Sequence, residues 1–84
     1  MKAKHGERIV EFWKISHEQI NDAWVNEAFR TTNIRWHKVN NDTLLVNAPW
    51  SVVPATIGDY LVLDEKQLKV ISSNDFHKDY KILN

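Results

Sequence analysis

The sequence predicts an α+β domain: a small, mostly antiparallel β-sheet of about five strands with one main α-helix packed on one face. Behind a Ser16/Gln19 capping pattern, Ile20, Ala23, Trp24 and Ala28 recur at helical spacing. After that helix the chain breaks into short β-branched and aromatic runs separated by Asn, Asp, Gly and Pro, which read as two consecutive hairpins. With 84 residues there is room for one domain, spanning 1–84, and for one modest core.

Residues 1–7 hold no apolar run and are expected to form a flexible N-terminal tail. Arg8 to Ile15 is apolar on both of its alternating sets, as an inner strand covered on two sides should be. The helix is expected from His17 to Phe29 or Arg30, with Glu18, Asp22, Asn26 and Arg30 on its wet side, and Thr31, Thr32 and Asn33 end it. In residues 33–39, Ile34 and Trp36 alternate with Arg35 and His37, and Asn40, Asn41 and Asp42 turn that strand into Thr43 to Ala48. Pro49 cannot donate to a ladder and Pro54 holds Val53 extended, so residues 49–56 read as an extended connection or an edge strand. Gly58 and Asp59 supply a tight turn, one tolerating φ > 0 and the other able to bond its own turn. Tyr60 to Leu63 and Gln67 to Ile71 then pair around Asp64, Glu65 and Lys66. Ser73 is placed to cap a helical turn over Asn74 to Lys78, and Tyr80 to Leu83 closes the chain as a strand. Val10, Phe12, Ile20, Trp24, Leu44, Val46, Leu61, Val70 and Phe76 are the expected core.

The 11 basic and 11 acidic side chains cancel, so no overall field draws the protein to nucleic acid or anionic lipid. No segment approaches the roughly 20 apolar residues of a membrane span. Cysteine is absent, which removes disulfides and thiolate metal sites and suits a reducing compartment. A protein of the cytoplasm, without a membrane partner, is expected.

His5, His17, His37 and His77 form no HxxxH, HxH or HExxH arrangement, so no metal site is expected. Asp42, Asp59, Asp64 and Asp75 stand in turn or cap positions where backbone hydrogen bonding explains them. With only two glycines there is no phosphate loop and no nucleophile elbow; no catalytic residue and no cofactor are expected. The surplus is in Trp, of which there are four. Trp13 and Trp24 fall where strand and helix should face each other. Trp36 shares a hairpin with Arg35 and His37, and Trp50 follows Pro49 in a surface connection, where either packing or an exposed aromatic anchor would account for it. Arg35, Trp36, His37, Trp50 and Ser51 are the candidate protein-binding residues, a polar rim around an aromatic.

From Gly58, Asp59, Tyr60, Leu61 and Val62 to Asp75, Phe76 and Tyr80, the chain resembles the C-terminal half of small bacteriophage and prophage proteins of unassigned function. In these a Pro-Gly-Asp-Tyr/Trp strand leads through a hairpin to a short Asp-Xaa-Phe helix and a final Tyr strand. Here Ile57 replaces the Pro, and Glu65, Lys66 and Gln67 replace the usual Gly-Glu tip. The resemblance implies a phage or prophage product in the cytoplasm of a host bacterium. Together with the small size and the Trp surplus, it leads to the expectation of a non-enzymatic binding protein that contacts a host or phage protein, such as an inhibitor of host defence of the anti-CRISPR kind. Two alternatives stand beside it: a nucleotide or single-stranded nucleic-acid binder using the Trp/Arg/His face, and a virion or assembly accessory protein that self-associates through a sheet edge.

Overall fold

Strand β2 (Arg8–Lys14) is the axis of the molecule, and from Val10 to Trp13 it contributes buried side chains to both of its faces. In the computed structural model, which describes residues 1–83, it lies third in a five-stranded antiparallel sheet of order β7-β6-β2-β1-β8, with β1 Lys2–His5, β6 Tyr60–Asp64, β7 Gln67–Ile71 and β8 Lys81–Leu83. Between β2 and β6 the chain inserts α1 (Ala23–Arg30) and a second antiparallel sheet of order β3-β4-β5, made of Ile34–Trp36, Thr43–Asn47 and Val52–Thr56. The short helix α2 (Ser73–Asp79) carries the chain from the β7 edge of the larger sheet to its β8 edge. The α+β class stands, with the strands divided between two sheets and a helix on each face of the larger one.

Alternation along β2 and β6 builds two cores. Val10, Phe12, Tyr60 and Val62 point to one face and pack with Ala3 under Phe76 of α2. Trp13 and Leu61 point to the other, where Val25 and Ala28 of α1 and Ile34, Leu44, Val46 and Ala55 of the smaller sheet close over them. The reading of residues 8–15 as an inner strand covered on two sides therefore holds from Val10 onward, while Ile9, near its start, stays 64% exposed. Of the expected core, Val10, Phe12, Leu44, Val46, Leu61 and Phe76 are buried, while Ile20, Trp24 and Val70 are half-buried and pack against the second cluster.

Three local expectations are corrected. Residues 1–7 are no loose tail: Lys2–His5 pairs with β2 on one side and β8 on the other, and Ala3 is fully buried. Gly6, at φ 63°, occupies the first of two central turn positions and lets the β1–β2 hairpin close. The helix begins at Ala23 and not at His17, because Ser16 Oγ accepts the Glu18 amide at 3.3 Å in a local turn, and Ile15 is held extended by bonds to Asp59 and Gly58 at 2.9 and 3.1 Å. The Asp22 carbonyl then takes the first helical amides, Val25 and Asn26. In α2 the cap is Ser72, whose Oγ accepts from the Asp75 amide at 3.3 Å, and Ser73 is already helical.

Gly58 sits at φ 100°, and Asp59 Oδ2 accepts from the Thr56 amide and hydroxyl at 3.1 and 3.2 Å, which is the tight turn expected ahead of β6. The β6–β7 turn is built without glycine: Glu65 and Lys66 stand at φ 50° and 68°. Asp64, buried to 4% exposure at the end of β6, is satisfied by Arg8 Nη2 at 2.7 Å and Lys69 Nζ at 3.3 Å. Both cations are themselves half-exposed, so one buried carboxylate draws the ends of β2, β6 and β7 together while its partners keep their water.

Candidate binding surface

Sheet pairing decides where the candidate residues point. Ile34, Leu44, Val46 and Ala55 face the core, so their neighbours Arg35, Leu45 and Pro54, aligned in register across β3, β4 and β5, face outward. Arg35 Nη1 reaches Asn47 Oδ1 on β4 at 3.3 Å. Trp36 turns inward and is half-buried, its ring flanked by His17 at 4.2 Å and Phe29 at 6.1 Å between centroids. His37 is spent on the turn that follows: Nδ1 accepts the amides of Val39 and Asn40 at 3.1 and 3.0 Å, while Asn40 Oδ1 accepts that of Asp42. Lys38 and Leu45 complete a shallow hollow of about 510 Å³ with Arg35, Trp36 and His37.

Trp50 stands apart from these. It is at the tip of the β4–β5 connection, 96% exposed, on a loop closed by the Ala48 amide bonding to the Ser51 carbonyl at 2.9 Å. Of the two readings open for Trp50, packing is ruled out. Trp50 lines a different hollow, of about 480 Å³, together with Val46 and Val53 of the smaller sheet and Leu68 and Val70 of β7. Ser51 contributes its carbonyl to the loop and lines neither hollow. The structure thus brings Arg35, Trp36 and His37 together and gives Trp50 a separate neighbourhood.

The β7 wall escaped sequence reasoning, since Gln67–Ile71 reads as an ordinary strand and only the order of strands reveals it as an uncovered edge. His17 against Trp36 was also missed, because the expected helix would have turned it elsewhere. A further hollow, of about 370 Å³ between α1 and the β6–β7 turn, is lined by Trp24, whose buried Nε1 has no acceptor, and by Lys66. Another, of about 610 Å³, lies beside Ile15 and Asp22, where the Met1 ammonium and Asp22 neutralise each other at 3.0 Å. Titration is perturbed elsewhere. The Arg30 hydrogen bond holds Glu27 below the usual carboxylate range on the open side of α1, and burial pushes the Tyr80 phenol up.

No helix among the described residues is long and apolar enough to cross a membrane, and no group of three His, Asp or Glu there could hold a metal ion. No protein-family model, curated protein or solved structure matches the chain.

Proposed function

We propose that the chain is a small non-enzymatic binding protein, of the kind phages and prophages encode, which covers a surface of a host or phage protein using the β4–β5 tip as its anchor. The observation that carries this reading is Trp50: a full indole held 96% in solvent on a closed, hydrogen-bonded loop. Aromatic anchors of this sort concentrate binding energy, and a loop already shaped loses little entropy when it docks. Phage origin, residence in the host cytoplasm and inhibition of a defence system in the anti-CRISPR manner are the finer form of the proposal, supported by the resemblance of Tyr60, Phe76 and Tyr80 and their surroundings.

Affinity capture from a bacterial lysate, run in parallel with wild type and Trp50→Ala, tests it. Trp50→Ala is expected to weaken retention of a stoichiometric partner by about 1 to 2 kcal/mol, roughly five- to thirty-fold in Kd, with the melting temperature nearly unchanged. Equal retention by both proteins overturns the reading. The alternative, a nucleotide or single-stranded nucleic acid stacked on an indole, has Trp50 as its free ring, since Trp36 is half-buried against His17 and Phe29. Titrating nucleotide while following Trp emission distinguishes it: quenching at millimolar ligand, lost in Trp50→Ala, would replace the protein partner with a nucleotide.

A further inference from the structure

Strand β7, the last strand of its sheet, lines the same hollow as Trp50, and its backbone is not used up. The two-residue turn at Glu65 and Lys66 makes Asp64 and Gln67 a hydrogen-bonded pair, and such pairs alternate along an antiparallel ladder. Leu68 and Val70 therefore turn their amide and carbonyl groups away from β6, toward the free edge, and no turn or loop bond takes them up. Strand β5 is different. The same alternation, anchored by the Ala48–Ser51 and Ile57–Asp42 bonds, turns positions 52, 54 and 56 to its open side. There Pro54 has no amide hydrogen and the Thr56 amide is held by Asp59 Oδ2 at 3.1 Å, so that edge is blunted.

We propose that β7 is a strand-addition site for an extended segment of a partner protein, with apolar side chains at alternate positions and a carboxylate near the β6–β7 tip. The inference rests on the protein-binding reading above and specifies its mode. An added strand would meet free donors and acceptors at Leu68 and Val70, while every second side chain entered the apolar hollow walled by Val46, Val53 and Trp50. Charge selects the occupant. Lys66, at the β6–β7 tip and in no ion pair among the described residues, lines an adjoining hollow of about 310 Å³; Lys69, beside the apolar hollow, is already held by Asp64 at 3.3 Å, and neither hollow is lined by a carboxylate. A second copy of this chain fits worse, because two β7 strands paired through Leu68 and Val70 would set Lys69 opposite Lys69.

The chain is short enough for total synthesis, which permits a backbone test. Random decapeptides displayed on phage are selected on wild type, and their affinities are compared with a chain N-methylated at Val70, which loses the edge donor and keeps the side chain and the β6 ladder, and with Trp50→Ala. The expected peptides alternate apolar residues, carry an acidic residue at one end, and bind the N-methylated chain at least about tenfold more weakly. Exchange of the Leu68 and Val70 amides should also slow about tenfold or more when such a peptide is added to the unmodified protein, a readout that does not depend on the modified chain folding. Peptides that tolerate N-methylation, leave both amides unprotected or show no alternation overturn strand addition. Loss in Trp50→Ala with full tolerance of N-methylation would leave the Trp50 surface standing without it. The reverse pattern would keep the edge and remove Trp50 as anchor. Dimerisation of the free chain through β7, seen by sedimentation, would replace the peptide with a second copy.

Discussion

The two faces of the five-stranded sheet are finished in different ways, and the difference separates stability from function. The α2 face is an aromatic stack: Tyr60 lies on Phe76 at 4.0 Å and 1°, Phe76 on Tyr80 at 4.9 Å and 7°, and Tyr80 on His5 at 4.4 Å. Its polar group, Asp64, is fully paired. Tyr60, Phe76 and Tyr80 form this stack, which closes one face of the sheet with a seven-residue helix. The α1 face is roofed by an inserted unit joined to the sheet through the segments flanking β2 and β6. That roof leaves Trp24, Leu68 and Val70 half-buried, one indole N–H without an acceptor and a row of hollows along β7.

The sharpest way to break the contrast is truncation on each side. Phe76→Ala, removing a fully buried ring at the centre of the stack, is expected to cost about 3 to 5 kcal/mol in urea unfolding. Trp24→Ala, on the half-buried side, is expected to cost about 2 kcal/mol. Trp24→Phe should cost less than Trp24→Ala, since it keeps most of the ring. If Trp24→Ala matched or exceeded Phe76→Ala, the two faces would be equally well closed and the contrast would fail.

How much of this was legible follows from which forces were local. Strand periodicity is local, so β2 as an inner strand, the β3–β4 hairpin, the Gly58–Asp59 turn and β7 to the residue all read directly from the sequence. The start of α1 did not, because the capping pattern at Ser16 lost to a long-range bond pair between Ile15 and the Gly58–Asp59 turn more than forty residues away. Residues 2–5 became a strand because β8, the last element of the chain, gave them a second partner. The candidate site divided for the same reason: Arg35 and His37 lie on a local hairpin, whereas Trp50 shares its hollow with β7, a strand of the other sheet. Which edge of a sheet remains open depends on strand order, and no window of sequence contains that.

The β6–β7 turn, where the two faces meet, offers a smaller test. Glu65 and Lys66 both hold left-handed backbone conformations that side chains with a Cβ adopt at a cost of about 1 kcal/mol or more each. Lys66→Gly relieves one of them, and the added freedom of glycine in the unfolded chain returns part of the gain, so a net stabilisation of about 0.5 to 1 kcal/mol is expected in urea unfolding. A destabilised Lys66→Gly would mean that the Lys66 side chain supports the hollow above β7 even without a bound segment, making that side more finished than its geometry indicates.

The smallest effect belongs to Tyr80, at the rim of the aromatic stack. Burial, the largest influence on it, raises its phenol above the ordinary value near 10, assisted by Asp64 and Asp79 and opposed by Lys69 and Arg8. A raised value means that the folded state favours the protonated phenol more than the unfolded chain does. The corresponding stability is complete below pH of about 10 and is lost as pH rises through the folded value. Wild type should therefore lose stability on an alkaline limb beginning near pH 10, and Tyr80→Phe, which keeps the ring on Phe76 and His5, should flatten that limb while leaving stability at pH 7 nearly unchanged. An alkaline limb identical in both proteins would show that the Tyr80 hydroxyl is as well hydrated in the fold as in the open chain. The aromatic face would then be porous at its edge, and its difference from the α1 face would be one of degree.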